Sequence, residues 1–84
     1  MILCIDIGNT NIKYGLFEGN ELKVSFRSAT ELKRTSDEYG TILTNMLAIQ
    51  GISKDCINGA IISSVVPALN YTIQHICAGY LGVE

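Results

Sequence analysis

The feature that most constrains this chain is an apolar run near its start that ends in a single carboxylate. The run is Ile2-Leu3-Cys4-Ile5, and Asp6 follows it directly. Because consecutive apolar residues without alternation are typical of a strand covered on both faces, the run predicts a central, fully buried strand. Asp6 would then lie where that strand reaches the edge of its sheet. A carboxylate there adds little to packing, so Asp6 is a candidate functional residue.

A turn with the sequence Ile7-Gly8-Asn9-Thr10-Asn11 follows the acid. Gly8 predicts a backbone conformation that a β-carbon would forbid. Such a turn can direct backbone N–H groups at an anion, and the short polar side chains after Gly8 can bond to phosphate oxygens or to their own backbone. A carboxylate beside bound phosphates normally holds a divalent cation or its water shell. An ordinary hairpin turn explains the same residues, and residue types alone do not separate the two interpretations.

Size and composition argue against several classes of protein. The 84 residues are 48% hydrophobic and 17% charged, which describes one globular unit with enough apolar side chains for a core. A net charge of −2 without any cluster of Lys and Arg argues against a nucleic-acid surface and favours metabolite binding. No apolar run approaches the ~20 residues of a membrane span, and no signal peptide is recognisable. We therefore expect a cytoplasmic protein without a nucleic-acid or membrane partner.

The cysteines do not indicate a disulfide framework or a zinc site. There are three, Cys4, Cys56 and Cys77, and none forms a C-x-x-C pair. We interpret Cys4 and Cys77 as small residues of the hydrophobic core.

Two further strands are predicted after the first turn. The second covers residues 12–17, and Glu18-Gly19-Asn20-Glu21 predicts a hairpin turn. The third strand alternates cleanly, which places its apolar residues inward. These inward residues are Leu22, Val24 and Phe26. Residues 1–28 therefore predict a three-stranded antiparallel meander.

A helix is predicted next, because Thr35-Ser36-Asp37-Glu38 matches a capping box. Its apolar stripe has helical spacing, and Gly51 stands where the helix should end. The stripe consists of Tyr39, Ile42, Leu43, Met46 and Leu47. A loop approaching a nucleotide or substrate is the alternative interpretation of residues 34–38, but the cap alone accounts for them.

A fourth strand and a second helix complete the pattern. Asn58-Gly59 predicts a sharp turn, and Ala60–Val66 predict a strand buried on both faces. Pro67 fits the first position of a helix that Gly82 ends. The apolar face of this helix consists of Leu69, Ile73, Ile76, Cys77 and Tyr80. His75 lies off that face, and we assign it no role.

The order of these elements predicts how the sheet is connected. A helical crossover returns the fourth strand parallel to the first, and the apolar run of the first strand makes it the expected neighbour. Ser63 and Ser64 would then share a sheet edge with Asp6, and open α/β sheets bind ligands at that edge. The alternative role of both hydroxyls is local backbone hydrogen bonding, which is favoured for Ser63 and open for Ser64.

Three segments together resemble type III pantothenate kinases, which belong to the actin, sugar-kinase and Hsp70 ATPase superfamily. They are residues 6–11, 34–39 and 61–67, in the same order and at similar spacing. The resemblance implies an α/β, ribonuclease H-like or actin-like ATPase half-domain, in which a three-stranded antiparallel meander is followed by a helix, a parallel strand and a helix. It also implies ATP-dependent phosphorylation of pantothenate to 4′-phosphopantothenate, the first step of coenzyme A biosynthesis.

The same resemblance implies which residues bind ATP. Asp6 would hold Mg²⁺ or another divalent ion through water, and Thr10 with the backbone of residues 8–11 would bind phosphate. The complete ATP-phosphate loop would consist of Asp6, Ile7, Gly8, Asn9, Thr10, Asn11, Ile12 and Lys13. A monovalent cation, K⁺ or NH₄⁺, and a homodimer are implied for the whole protein.

The general base of this family has no counterpart here, so we assign no catalytic residue. In these kinases it is an aspartate in a Gly-Ala-Asp-Arg-like segment after the next strand, and nothing after Val66 matches that segment. We therefore predict that residues 1–84 are an N-terminal half-domain that lacks the next strand and the second half-domain. Such a half-domain should be inactive alone, because phosphoryl transfer needs groups on both sides of the phosphate.

Three functional hypotheses remain. The first is part of a pantothenate kinase. The second is a non-catalytic relative of the Bvg accessory factor type that binds a nucleotide or a protein. The third is an actin-like or sugar-kinase domain that shares only the phosphate hairpin, and the serine-containing fourth strand favours pantothenate kinases over it.

Overall fold

The secondary structure has the predicted order. The computed structural model describes residues 1–82, apart from the side chain of Tyr80. Its elements are β1 (Ile2–Ile7), β2 (Asn11–Glu18), β3 (Glu21–Ala29), α1 (Ser36–Ile49), a 3₁₀ helix (Lys54–Cys56), β4 (Gly59–Ser64) and α2 (Pro67–Tyr80). The predicted α/β class is therefore confirmed. Within the described part of the chain, no helix is both long and apolar enough to cross a membrane.

The strands form one mixed sheet with the order β3-β2-β1-β4. β1 pairs antiparallel with β2 and parallel with β4, so that Ile5 lies opposite both Tyr14 and Ile62. The central position of β1 and the crossover to β4 are thus confirmed. β2 and β3 are joined by the predicted tight turn, in which Gly19 has a φ of 61°. A positive φ is what the first central position of a II′ hairpin turn requires.

Both helices cover the same face of this sheet. Tyr39 and Leu43 of α1, with Ile73 and Ile76 of α2, surround Ile5 and Tyr14. The apolar residues that β1 and β2 place on this face are at most 3% exposed; they are Leu3, Ile5, Ile7, Ile12, Tyr14 and Leu16. We call this side the helix face and the opposite side of the sheet the open face.

The open face is not covered by the described residues. Ile2 is 37% exposed and Ile61 is 62% exposed, while Cys4 is partly buried. The prediction that β1 and β4 are buried on both faces is therefore wrong for this chain, and so is the assignment of Cys4 to the core. An apolar run indicates that both faces of a strand avoid water, but it does not say that the same stretch of chain supplies both covers.

A β-bulge changes the alternation of β3. Leu16 lies opposite Val24, but Phe17 lies opposite Leu22, so Lys23 is the extra residue. Leu22 consequently lies on the open face and is 50% exposed. The predicted inward position of Leu22 is wrong because a bulge reverses the alternation of the strand at that point.

Helix α1 begins as predicted. The Thr35 hydroxyl accepts a hydrogen bond from the Glu38 N–H at 3.2 Å, and the Glu38 carboxylate accepts one from the Thr35 N–H at 2.9 Å. This reciprocal pair confirms the capping box. Within the predicted stripe, Tyr39, Leu43 and Leu47 are buried, and the other two residues are partly buried.

In the described second half of the chain one predicted turn is absent. Asn58-Gly59 makes no sharp turn, because the Asn58 N–H donates to the Met1 carbonyl at 2.8 Å and Gly59 opens β4. Pro67 is at the start of α2, as predicted. The predicted apolar face is buried at Leu69, Ile73, Ile76 and Cys77, and the prediction for the Tyr80 side chain lies outside the described residues. His75 is exposed and stacks on Tyr71.

Candidate functional site

The turn between β1 and β2 lies at the sheet edge where β1 and β4 have their carboxyl ends. The parallel register places Ser63 opposite Asp6 and Ser64 opposite Ile7. The structure therefore brings Asp6, the turn and both serines to one edge, as the topology predicted. Ligands of open α/β sheets bind at edges of this kind.

Asp6 lies exposed on the open face. Its partners across the strands are Lys13 on β2 and Ser63 on β4, and both of these are also exposed. Within residues 1–82 an ion pair joins Lys23 to Glu21 at 3.3 Å, and Asp6 takes part in no salt bridge there. Its carboxylate is available to a ligand at the mouth of the turn.

The candidate loop residues divide between the two faces. Ile7 and Ile12 are both 0% exposed and belong to the core under the helices. Their side chains cannot reach a ligand, so any contact with phosphate would come from their backbone. Asn9 and Thr10 are exposed at the turn, and Asn11 is partly buried.

Gly8 closes the turn by donating its N–H to the Asn11 carbonyl oxygen at 2.9 Å. Its φ is not positive, in contrast to Gly19, so the predicted reason for a glycine here is wrong. The reason is close approach, because a β-carbon on Gly8 would lie 3.0 Å from the Asn11 carbonyl oxygen. A larger residue would therefore push the turn open.

The N–H groups of Asn9 and Thr10 are the strongest chemical feature of the turn. Neither donates a hydrogen bond to any group in the described part of the chain. Successive unpaired N–H groups in an exposed turn form a concavity that binds anions. The Thr10 hydroxyl adds a donor beside them, and the missing side chain of Gly8 leaves the backbone accessible. This donor set fits phosphate oxygens.

Thr30 holds the turn from outside by two hydrogen bonds, a role that was not predicted from the sequence. Its hydroxyl donates to the Gly8 carbonyl oxygen at 2.7 Å, and its N–H donates to the Thr10 carbonyl oxygen at 2.9 Å. The position follows from the meander, since Asn11 pairs with Ala29 and the next residue must lie beside the turn. A threonine directly after the third strand was therefore the available signal.

A groove of ≈ 470 Å³ borders the turn. Its lining consists of Asn9, Thr30, Glu31, Leu32, Lys33 and Val66. The loop that forms its outer wall is tied to α1, because the Tyr39 hydroxyl accepts from the Glu31 N–H at 2.8 Å and donates to the Glu31 carbonyl at 2.7 Å. The groove thus has one wall from the turn and one from a loop that a buried tyrosine holds in place.

The two serines have different environments. The Ser64 hydroxyl accepts from the Val66 N–H at 3.0 Å, which is a local backbone contact. Ser63 is exposed, and its hydroxyl bonds to no other group in the described residues. The local role that was favoured for Ser63 is therefore found at Ser64 instead.

The side chains near the turn fit a metal ion that is bound by one carboxylate and by phosphate oxygens together. Residues 1–82 contain no group of three or more His, Cys, Asp or Glu side chains able to hold a metal by themselves. Mg²⁺ keeps several waters and is commonly bound through one or two carboxylates together with substrate phosphates. A single exposed carboxylate, Asp6, beside an anion-binding turn has the chemistry that such an ion requires.

Comparison with known proteins gives this geometry a family. The sequence model of "Type III pantothenate kinase" matches residues 2–84. A type III pantothenate kinase of Brevibacillus brevis is 46% identical over 81 residues, which cover 96% of this chain and 32% of the relative. The one of Agathobacter rectalis is 45% identical over 84 residues, which cover 100% of this chain and 32% of the relative.

A third relative gives the same result. The type III pantothenate kinase of Paramagnetospirillum magneticum is 42% identical over 84 residues, covering 100% of this chain and 32% of the relative. The chain thus spans about a third of the length of the curated relatives that it matches. Since the family match extends over almost the whole sequence, the chain belongs to the type III pantothenate kinase family.

Proposed function

We propose that this chain supplies the ATP-phosphate loop of a cytoplasmic kinase that phosphorylates pantothenate to 4′-phosphopantothenate, the first step of coenzyme A biosynthesis. One observation carries the proposal: the β1–β2 turn presents the unpaired N–H groups of Asn9 and Thr10 beside the unengaged carboxylate of Asp6. The names of the relatives support the reaction, because each is called a type III pantothenate kinase.

Each exposed residue of the turn has a role in this proposal. The N–H groups of Asn9 and Thr10, with the Thr10 hydroxyl, donate hydrogen bonds to phosphate oxygens of ATP. Lys13 lies next to Asp6 on the open face and adds positive charge near the phosphates. Asp6 holds the water shell of a divalent cation. When bound, Mg²⁺ neutralises charge on the transferring phosphoryl group.

The remaining parts of the reaction are assigned to the rest of a longer protein. We propose that residues 1–84 are its N-terminal half-domain and that the general base, the pantothenate contacts and the second side of the ATP cleft lie outside them. A requirement for K⁺ or NH₄⁺ and assembly as a homodimer are implied by the family resemblance and are part of the same proposal. The chain alone should then show no kinase activity, because half a cleft does not position both reactants.

A chimera tests this proposal. It joins the present chain to the remaining two-thirds of the Brevibacillus brevis relative, of which the matched region covers 32%. We expect the chimera to phosphorylate pantothenate with ATP and Mg²⁺, and Asp6→Asn to lower kcat/KM by about a hundredfold or more. Asp55→Asn is the matched control. Asp55 is also an exposed acid, and it lies at the opposite end of the sheet from Asp6. Its neighbour Cys56 is at that end, because the Cys56 carbonyl accepts a hydrogen bond from the Met1 nitrogen.

Several outcomes would contradict the proposal. Full activity of the Asp6→Asn chimera would mean that Asp6 does not hold the metal. Turnover by the isolated chain would contradict the two-sided cleft. A chimera that binds ATP without phosphorylating pantothenate would favour the non-catalytic relative instead.

A further inference from the structure

We propose that Thr30 is a positioning residue that sets the direction of the Asn9 N–H group, an inference that rests on the proposed phosphate-binding function of the turn. Thr30 lies 22 residues from Gly8 in sequence and directly against the turn in space. It donates hydrogen bonds to the carbonyls of Gly8 and Thr10, the two residues adjacent to Asn9. It does not itself present a donor to the phosphates.

The geometry of the peptide unit explains how Thr30 acts. The Gly8 carbonyl and the Asn9 N–H belong to the same peptide group, and the described chain has no cis peptide bonds. In a trans peptide the C=O and N–H point in opposite directions. The 2.7 Å hydrogen bond from the Thr30 hydroxyl to the Gly8 carbonyl therefore turns the Asn9 N–H away from Thr30 and keeps it free for a ligand.

The second contact of Thr30 holds the far end of the turn. Its backbone N–H donates to the Thr10 carbonyl at 2.9 Å. This bond survives any side-chain substitution except proline, because it uses the backbone. Removing the hydroxyl should accordingly loosen one peptide plane, the one that carries the Asn9 N–H, and leave the rest of the turn attached.

Thr30 is itself held by the core. The next residue, Glu31, is bonded at both its N–H and its carbonyl to the Tyr39 hydroxyl, and Tyr39 is 1% exposed. Arg34 lies over the Tyr39 ring at 5.6 Å and donates to the Ala29 carbonyl at 3.1 Å. The loop after β3 is thus attached on both sides of Thr30, so its hydroxyl is fixed before a ligand arrives. Binding groups that are fixed in advance lose less freedom when the ligand binds.

Steady-state kinetics of the chimera can test this role. Thr30→Val removes the hydroxyl at nearly constant volume, and we expect the KM for ATP to rise roughly fivefold to tenfold, as the loss of one positioned hydrogen bond predicts. The KM for pantothenate should stay within about twofold, because pantothenate does not use the turn. Thr30→Ser keeps a hydroxyl and should restore the KM for ATP.

The matched control is Thr44→Val. Thr44 is also partly buried, and its hydroxyl donates to the Gly40 carbonyl at 2.9 Å, but it does so within α1. Its loss should leave the KM for ATP unchanged. If Thr30→Val does not fold, Thr30→Ala also lacks the hydroxyl and provides the same test.

The results separate this inference from the proposed function. An unmodified chimera without ATP-dependent turnover would contradict the proposed function itself. An active chimera whose KM for ATP is unchanged by Thr30→Val or Thr30→Ala would overturn the role of Thr30 and leave the proposed function standing. An increase that Thr30→Ser does not reverse would also overturn it, because the effect would then not come from the hydroxyl.

Discussion

The helix face and the open face of the sheet both carry isoleucine side chains, but these side chains have opposite surroundings. Ile5 on the helix face is 2% exposed, whereas Ile61 on the open face of the adjacent strand is 62% exposed. Both residues are isoleucines in the middle of paired strands, so their local sequence does not distinguish them. What differs is the cover: α1 and α2 both pack on the side of Ile5.

This difference separates stability from ligand access. The helix face contains the described hydrophobic core, and burial of that surface is the main contribution to folding. The open face carries Asp6, Lys13 and Ser63 at the end of the sheet near the turn, and Ile2 and Ile61 lie on the same face. The candidate site is therefore built on the side that the helices leave free, where a ligand can approach the carboxylate.

The largest expected effect is on the free energy of unfolding. Ile5→Ala should destabilise the chain by about 2–5 kcal/mol, because it removes buried surface and leaves a cavity under both helices. Ile61→Ala should cost less than about 1 kcal/mol, because most of that side chain is already in water. Urea denaturation of the two variants and the parent chain, at equal and low concentration, measures both values.

The size of the difference between the two alanine variants is the test. Equal destabilisation would show that Ile61 is buried in solution, and the description of the open face would be wrong. Repeating the measurement at several protein concentrations distinguishes burial within one chain from burial between two copies.

A smaller effect is expected on self-association. Exposed apolar patches and a free strand edge promote association. Among the described residues β4 has both, because Ile61 is exposed on its open face and β4 is the last strand of the sheet. Ile61→Lys should weaken any dimer of the isolated chain by about tenfold or more, since it replaces an apolar contact by a charge. Sedimentation equilibrium measures the dissociation constant.

The control for this prediction lies on the other side of the molecule. Ile49 at the end of α1 is 75% exposed, even more than Ile61, so Ile49→Lys changes the charge equally at a residue away from the sheet. Equal weakening by both variants would place the association at the helices. A chain that stays monomeric up to high concentration would show that the open face does not drive association.

The sequence was sufficient for local features of the fold. The Thr35–Glu38 cap and the Gly19 turn depend on residues that are close in sequence, and each has a specific residue requirement. The position of β4 beside β1 followed from a general rule on crossovers. The candidate turn could also be located from the sequence, because it directly follows a recognisable strand.

Features that depend on distant residues were not predicted. The uncovered open face could not be inferred from Ile61, because an apolar residue does not specify which part of a protein covers it. The bulge that exposes Leu22 depends on the register between two strands, which alternation alone does not determine. Thr30 was missed because its contact with Gly8 spans 22 residues, and a threonine after the third strand indicates the turn only when the register of β2 and β3 is known.

The smallest effect that we predict is a loss of stability at alkaline pH, which originates on the helix side of the sheet. Burial raises the pKa of the Cys77 thiol above its ordinary value of 9.0. Burial also raises the pKa of the Tyr14 phenol above its ordinary value of 10.0, although the hydrogen bond with Ser28 opposes the shift. The folded chain therefore keeps both protons to higher pH than the unfolded chain does.

The sign of the pH effect follows from this proton linkage. Above the ordinary pKa values the unfolded chain ionises first and is stabilised relative to the folded one. The contribution of Cys77 and Tyr14 to stability should therefore be constant well below pH 9.0 and fall as the pH rises through 9.0 and 10.0. Urea denaturation from about pH 7 to about pH 10.5 measures this slope. Cys77→Ala combined with Tyr14→Phe should flatten the slope, whereas Cys56→Ala, at an exposed thiol, should keep it. An unchanged slope in the double variant would mean that the alkaline loss comes from groups outside the core, and the contrast between the two faces would then not extend to proton binding.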